Sequence, residues 1–343
     1  VKGILYSIVV LILVIAAHQP AAAFPRFAQR LGASCQSCHV NPTGGGMRNV
    51  YGVTYGQETL PVREWREETG MENFSTQLSE VFSFGADFRT RIVYRSLDRT
   101  TSFLQTQGDL YFAANVNKKL TVYLDKGVSS GTEVFGILKM LPAHGYVKIG
   151  RFTPAYGIRL EDRNNRAEDT GFELGLAPGD LTLSGGVFNG SGDDTRKVLA
   201  ARAEGRAEIG EVKVNLGGSV LRTPSATATT RLLGAFGGVS VSDLTIFGEA
   251  DFRKDESSAG DRKSLLTYAE ADYLVHPGVD LKVIYEYSDP DVDVKSGSFT
   301  ATSFGFEFFP VAGLEVKPLF RLQKEEPVDL DNNEFHCLFH FYL

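Results

Sequence analysis

The chain has 343 residues, 43% of them hydrophobic and 22% charged, with a formal net charge of −7. That balance excludes a disordered chain and a bundle of membrane helices, and its acidity argues against a nucleic-acid partner. With 36 Gly, one Trp, 24 Phe and 13 Tyr, the profile suits many short strands with aromatic ends.

The first segment reads VKGILYSIVVLILVIAAHQPAAA. Lys2 supplies a one-charge leader, and the apolar run from Ile4 to Ala17 is short for a bilayer span. Ala21, Ala22 and Ala23 form a small-residue cleavage site. Residues 1–23 therefore read as a signal peptide, with the mature chain beginning at Phe24 and exported.

Next comes ASCQSCHVNPTGGGMRN. Cys35 and Cys38 flank two residues, and His39 follows at once. A zinc site needs four ligands, and the third cysteine, Cys337, lies at the far end of the chain. A redox Cys-x-x-Cys opens a helix in a βαβ unit, and no such unit follows. C-Q-S-C-H matches the attachment of a c-type haem. Two thioethers reach neighbouring vinyl groups on one haem edge, and the next side chain falls under the iron. One covalent haem c is expected, held by Cys35 and Cys38 with His39 as its proximal iron ligand.

Two residues compete for the distal position, and a five-coordinate iron is the third alternative. Met47 is a soft thioether close in sequence, and Gly44, Gly45 and Gly46 before it would let the backbone lie against the macrocycle. His340, near the chain end, is its rival. Arg48 suits a haem propionate. Residues 24–74, expected to be helix and loop, are too few to bury a haem by themselves, so something else must cover it.

From Ser75 onward the pattern changes. FSFGADFRTRIVYR, LTVYLDKGV, YVKIGRF, LTLSGGVF, LTIFGEADFR and LKVIYEY alternate apolar and polar residues with period two, and no segment holds a helical period. Tight connections, such as Asn117-Lys118-Lys119, Pro142-Ala143-His144-Gly145, Ser242-Asp243 and His276-Pro277-Gly278, take turns with long polar ones. The long ones include TPAYGIRLEDRNNRAED, NGSGDDTR, RTPSATATT, RKDESSAGDRK, SDPDVDVKSG and QKEEPVDLDNNE. His144 and His276 read as turn residues. About sixteen strands fill residues 75–343. Short turns alternating with long loops are the signature of an antiparallel outer-membrane β-barrel, the short ones facing the periplasm. Closure removes the unpaired edges such a sheet would expose. In the last strand, EFHCLFHFYL, the residues Phe335, Cys337, Phe339, Phe341 and Leu343 form an apolar face toward lipid. His336, Leu338, His340 and Tyr342 face the lumen. The fold class expected is thus all-β, a barrel with the haem segment as its plug.

A signal peptide, one C-x-x-C-H segment at Cys35, Cys38 and His39, and a barrel in one chain resemble the fused monohaem cytochrome–porins, whose best-known members are outer-membrane electron carriers of iron-oxidising bacteria. The resemblance is architectural and spans nearly the whole mature chain. After the motif, NPTGGGMRNVYG keeps only Pro42 and Gly52 of that family's pattern, which points to a sister family. Separately, YVKIGRFTPAYGIRLEDRN is similar to a stretch of phosphate- and carbohydrate-type porins.

The expectation that follows is an electron conduit in the bacterial outer membrane. The haem segment would lie on the periplasmic side or inside the lumen, contacting outer-membrane lipid through the barrel and a periplasmic c-type cytochrome through the haem. The outer partner would be an extracellular redox partner or metal ion. Ferrous iron suits the acidic loops: Glu161, Asp162, Glu168 and Asp169; Asp193 and Asp194; Asp255, Glu256 and Asp261; Asp289, Asp291 and Asp293; Glu325, Glu326, Asp329 and Asp331. The alternatives are a diffusion porin with a haem-bearing appendage and a haem redox enzyme. An electron-transfer protein is the stronger expectation than a substrate-converting enzyme, although iron-oxidase activity would be compatible with it.

Overall fold

The computed structural model describes residues 26–69, 74–128, 131–158, 168–190 and 195–343. The expected signal peptide (residues 1–23), Phe24, and the loop carboxylates Glu161, Asp162, Asp193 and Asp194 lie outside them.

Sixteen described strands form one closed antiparallel barrel. They are β1 Phe82–Arg95, β2 Thr100–Asn117, β3 Leu120–Gly127, β4 Thr132–Leu141, β5 Gly145–Phe152, β6 Asp169–Leu176, β7 Leu181–Phe188 and β8 Val198–Ile209. They continue as β9 Val212–Pro224, β10 Ala228–Val241, β11 Leu244–Ser257, β12 Gly260–His276, β13 Val279–Asp289, β14 Phe299–Val311, β15 Leu314–Glu325 and β16 Glu334–Tyr342. β1 and β16 close the ring, with Asp87 opposite Tyr342 and Arg89 opposite His340.

Period-two alternation positions the side chains. In β3, Thr121, Tyr123 and Asp125 are buried while Val122 and Leu124 are exposed. Around the barrel the outward positions carry Phe88, Ile149, Leu174, Leu216, Leu233, Leu281, Phe304 and Phe320, all exposed. A water-soluble protein does not present a continuous apolar surface of this extent; a lipid-facing belt does. The lumen face holds buried charges instead, among them Asp87, Arg89, Lys148, Glu173, Glu270, Asp272, Lys282, Glu307 and Glu315. β16 keeps the expected faces: Leu338, His340 and Tyr342 are buried, whereas Phe341 is exposed.

All the tight turns fall where the sequence places them. Two of the expected long loops are a correction. RTPSATATT and RKDESSAGDRK are mostly strand, and only residues 225–227 and 258–259 connect β9 to β10 and β11 to β12. Their polarity reflects water around sheet that continues beyond the bilayer, where ladder hydrogen bonds persist without apolar side chains. Here Thr230 pairs with Asp255 and Arg231 with Lys254 across the ladder.

The start of the β5–β6 connection folds inward. Thr153 to Ile158 are all buried. Gly157 N–H donates to Ser219 Oγ (2.7 Å), Ile158 N–H to Glu249 (2.9 Å) and Tyr156 O–H to Asp251 (2.7 Å). This stretch narrows the lumen from the wall of β9 and β11.

Among the described residues, four short helices precede the barrel: α1 Arg26–Leu31, α2 Cys35–Cys38, α3 Val50–Glu58 and α4 Arg63–Thr69. They lie across the lumen toward the tight-turn end, where Val62 N–H donates to the Phe309 carbonyl (2.8 Å). On one side, Arg30 pairs with Asp280 (2.5 Å), Arg26 with Glu307, and Gln29 Nε2 donates to the Lys213 carbonyl (2.8 Å). On the other, Met47 N–H donates to Tyr123 Oη (3.0 Å), and Lys148 Nζ donates to Asn41 and Thr43 (3.1 Å each). The segment is therefore fixed to opposite walls and plugs the barrel.

Candidate functional site

The Cys-x-x-Cys unit is a single helical turn. Ser34 precedes it in an extended conformation, and His39 N–H donates back to the Cys35 carbonyl (2.9 Å). Both thiols are unbridged. Burial, followed by the neighbouring Cys35, pushes the Cys38 thiol up to about 11, against a smaller opposing effect of Arg48. A thiol held protonated in this way is unlike the thiolate of a disulfide exchanger.

After His39 the chain makes a small hairpin. His39 pairs with Arg48 in an isolated antiparallel bridge, flanked by Val40 N–H to the Met47 carbonyl (3.0 Å) and Asn49 N–H to the Cys38 carbonyl (2.9 Å). Gly44, Gly45 and Gly46 turn it, each at positive φ, which glycine adopts without strain. Asn49 then caps α3, accepting from Gly52 N–H (3.0 Å) while its amide donates to the carbonyls of Gln36 (3.2 Å) and Ser37 (3.0 Å). One side chain thus ties the cysteine turn to the next helix.

His39 Nδ1 lies 3.2 Å from the Gly46 carbonyl. A metal-binding imidazole is commonly held in this way, with Nδ1–H on a backbone carbonyl and Nε2 directed at the metal. His39, Met47 and Arg48 border a cavity of about 530 Å³, together with Tyr146, Lys139 and His144 of the barrel wall. That volume falls in the usual range for cofactor sites, roughly 300–1,000 Å³. Met47 and Tyr146 are buried at its depth, while Val50, Gln77, Asn115 and His144 are exposed at its rim. The rim lies at the tight-turn end of the strands. Of the Cys-x-x-Cys-His unit, Gln36 and His39 border the cavity, with the two cysteines on the same helical turn as Gln36, a donor set whose chemistry suits a haem c.

The other expected residues fall elsewhere. His340 is 3% exposed, with Nδ1 2.7 Å from Glu315 and Nε2 3.1 Å from Asp87, and it does not border the cavity. Both imidazole nitrogens therefore face carboxylates of the wall, an arrangement that argues against it as an iron ligand. His336 meets Glu334 at 2.7 Å, and Cys337 points outward. Several of the described outer carboxylates are engaged by basic side chains. Asp255 pairs with Arg253 (2.8 Å), Glu256 and Asp261 with Lys254 (3.0 and 2.8 Å), and Asp293 with Lys263 (2.9 Å). Among the described residues no three His, Cys, Asp or Glu side chains converge to hold a metal ion. The sequence treats His144 as a turn residue. Its place at the cavity depends on how the plug seats, which no local pattern signals.

No protein-family model and no curated protein matches the chain. Solved structures do. OmpT, an outer-membrane protein of Vibrio cholerae, is similar at TM-score 0.60 and 14% identity, over 77% of this chain and 100% of that one. An anion-selective porin from Comamonas acidovorans matches at TM-score 0.57 and 12% identity, over 76% and 99%. OprB of Pseudomonas putida matches at TM-score 0.57 and 12% identity, over 84% and 99%. At such identities the likeness establishes the fold. Together with the apolar belt, it describes a closed sixteen-strand barrel with the fold of outer-membrane porins, its Cys-x-x-Cys-His segment seated at the tight-turn end of the lumen.

Proposed function

We propose that the chain carries one haem c on its plug and passes single electrons across the outer membrane. The observation that carries this reading is the convergence of the C-Q-S-C-H turn, the His39–Gly46 contact and the cavity of about 530 Å³. Cys35 and Cys38 would hold the group by adding each S–H across a vinyl bond, sulfur to one carbon and hydrogen to the other, which needs no oxidant. When bound, the group supplies one-electron exchange between ferrous and ferric iron. His39 would hold the iron from the plug side. Arg48 and Lys139, both bordering the cavity, suit the propionates. The exposed rim offers a soluble periplasmic cytochrome a docking edge, and an extracellular donor or acceptor completes the path, ferrous iron being one donor of suitable chemistry.

The test is expression with haem-maturation machinery, followed by haem staining of the membrane fraction after denaturing electrophoresis. The native chain should stain, and the Cys35→Ala, Cys38→Ala double variant should not. A stain that persists in the double variant overturns the reading.

The likeness to porins favours a second reading, a diffusion porin in which this segment is an appendage. Conductance in planar bilayers separates the two. A chain with its plug fixed to both walls should be nearly closed to ions, whereas porin-sized steps from the native chain would establish diffusion.

A further inference from the structure

We infer that His144, on the barrel wall, is the second axial ligand of the haem iron, so that the group bridges plug and barrel. This rests on the haem reading above and deepens it. Two axial ligands must approach a haem from opposite faces. His39 and Arg48 pair across the hairpin and so share one of its faces, whereas Met47 and Val40, one position along, share the other. Met47 and Val40 accordingly pack against Tyr111, Tyr123 and Phe135 of the wall. Met47 and Val40 also border the cavity, but the Met47 side chain is 1% exposed and packed in that aromatic cluster, so its thioether is engaged by the wall.

His144 offers an imidazole that is exposed at the rim of the cavity. It borders the same cavity as His39 but belongs to a different body, the β4–β5 turn. Its backbone is a second, independent observation. Gly145 N–H donates to the Pro142 carbonyl (3.0 Å), and the central residues Ala143 and His144 both have positive φ, 54° and 52°. That is the geometry of a type I′ turn, where Gly, Asn and Asp dominate. An alanine and a histidine there hold a conformation that costs free energy at each residue. Such strain is stored where it serves a site. The turn is also anchored sideways, because Ala177 N–H donates to the Ala143 carbonyl (2.9 Å). The other described imidazoles beyond His39 are placed elsewhere: His340 between Glu315 and Asp87, His336 on Glu334, and His276 on its own turn beside Glu64.

The experiment uses the full chain, matured with haem and solubilised in detergent, comparing native protein with His144→Gly, Met47→Ala and His340→Ala. Glycine relaxes the strained turn, so the His144 variant should keep its fold. The native chain should stain for covalent haem and show a low-spin spectrum. His144→Gly should keep the stain but turn high-spin, and added imidazole should restore the low-spin spectrum. Met47→Ala and His340→Ala should stay low-spin. A stained His144→Gly protein with an unchanged low-spin spectrum overturns the assignment and leaves the haem reading standing, as does a high-spin native chain. A native chain without stain overturns the haem reading and this one together.

Discussion

A Cβ built on Gly52 would overlap the carbonyl of Cys38, and backbone cannot swing aside as a flexible side chain can. Gly52→Ala should therefore push α3 off the cysteine turn. Overpacking of this kind costs about 1–3 kcal/mol, borne by the plug alone. Haem staining and protease resistance of residues 26–69 should fall, while the barrel keeps its heat-modifiable migration on gels; unchanged staining would show that the contact relaxes. Asn49→Ala should weaken the same junction by about 1 kcal/mol through loss of the helix cap, visible as partial rather than complete loss of stain. The Cys38 thiol offers a check on the haem-free chain. Its pKa, raised from 9.0 to about 11, means roughly a hundredfold less thiolate at pH 8 than for an unperturbed thiol. Alkylation of Cys38 should be correspondingly slow and should accelerate as pH rises toward 11. A rate equal to that of a free thiol would show that the cysteine turn is not buried in the apo state.

Helix α1 shows how an element only six residues long is anchored inside a barrel. The side chain of its Arg26 is 12% exposed, and although burial opposes the charge, Glu307, Asp272, Glu270 and Glu315 hold its guanidinium pKa above the ordinary value. Removing one partner of a buried pair costs about 3–5 kcal/mol, because the carboxylate is left behind uncompensated. A pair at the surface, such as Arg231 with Glu256 (3.0 Å), contributes about 0–1 kcal/mol. The double variant Arg26→Ala, Arg30→Ala should therefore loosen the plug and raise bilayer conductance well above the native level, whereas Arg231→Ala should not. Equal conductance in all three proteins would mean that the inward-folded stretch Thr153 to Ile158, rather than the plug, closes the lumen.

For the molecule as a whole, the apolar belt and the alternation of connections orient the barrel. An epitope inserted at Ala226, in the outer β9–β10 connection, should be reached by antibody on intact cells. One inserted at Gly210, where a side chain would meet nothing within 4 Å, should be reached only after the outer membrane is opened. The reverse pattern would invert the barrel. Gly278 is unsuitable for the inner tag, because its turn packs on Val62 and Leu60 of the plug.

Strand number, faces and inner turns were legible in the sequence because sheet alternation has a period of two and each side chain samples either lipid or lumen. The β16 faces, with His340 inward and Phe341 outward, follow from that rule alone. C-Q-S-C-H was legible as one local unit because its residues are adjacent in the chain, and the structure forms it as a single helical turn. What local pattern could not supply was every relation between distant segments. Polar runs around Ser225 and Ser258 read as loops, because polarity reports solvent and not pairing. Carboxylates read as cation ligands, because a run of polar residues does not reveal that Asp255 and Glu256 pair with Arg253 and Lys254 of their own strand, or that Asp261 reaches Lys254 across the ladder. His340 read as facing the plug, while Glu315 and Asp87, which meet it, lie on β15 and β1. His144 read as a turn residue, since nothing in its own stretch reveals the hairpin seated opposite. The sequence by itself determined the barrel and the local make-up of the cysteine turn. Only the tertiary structure decided which side chains share the cavity, because that depends on how one body packs into another.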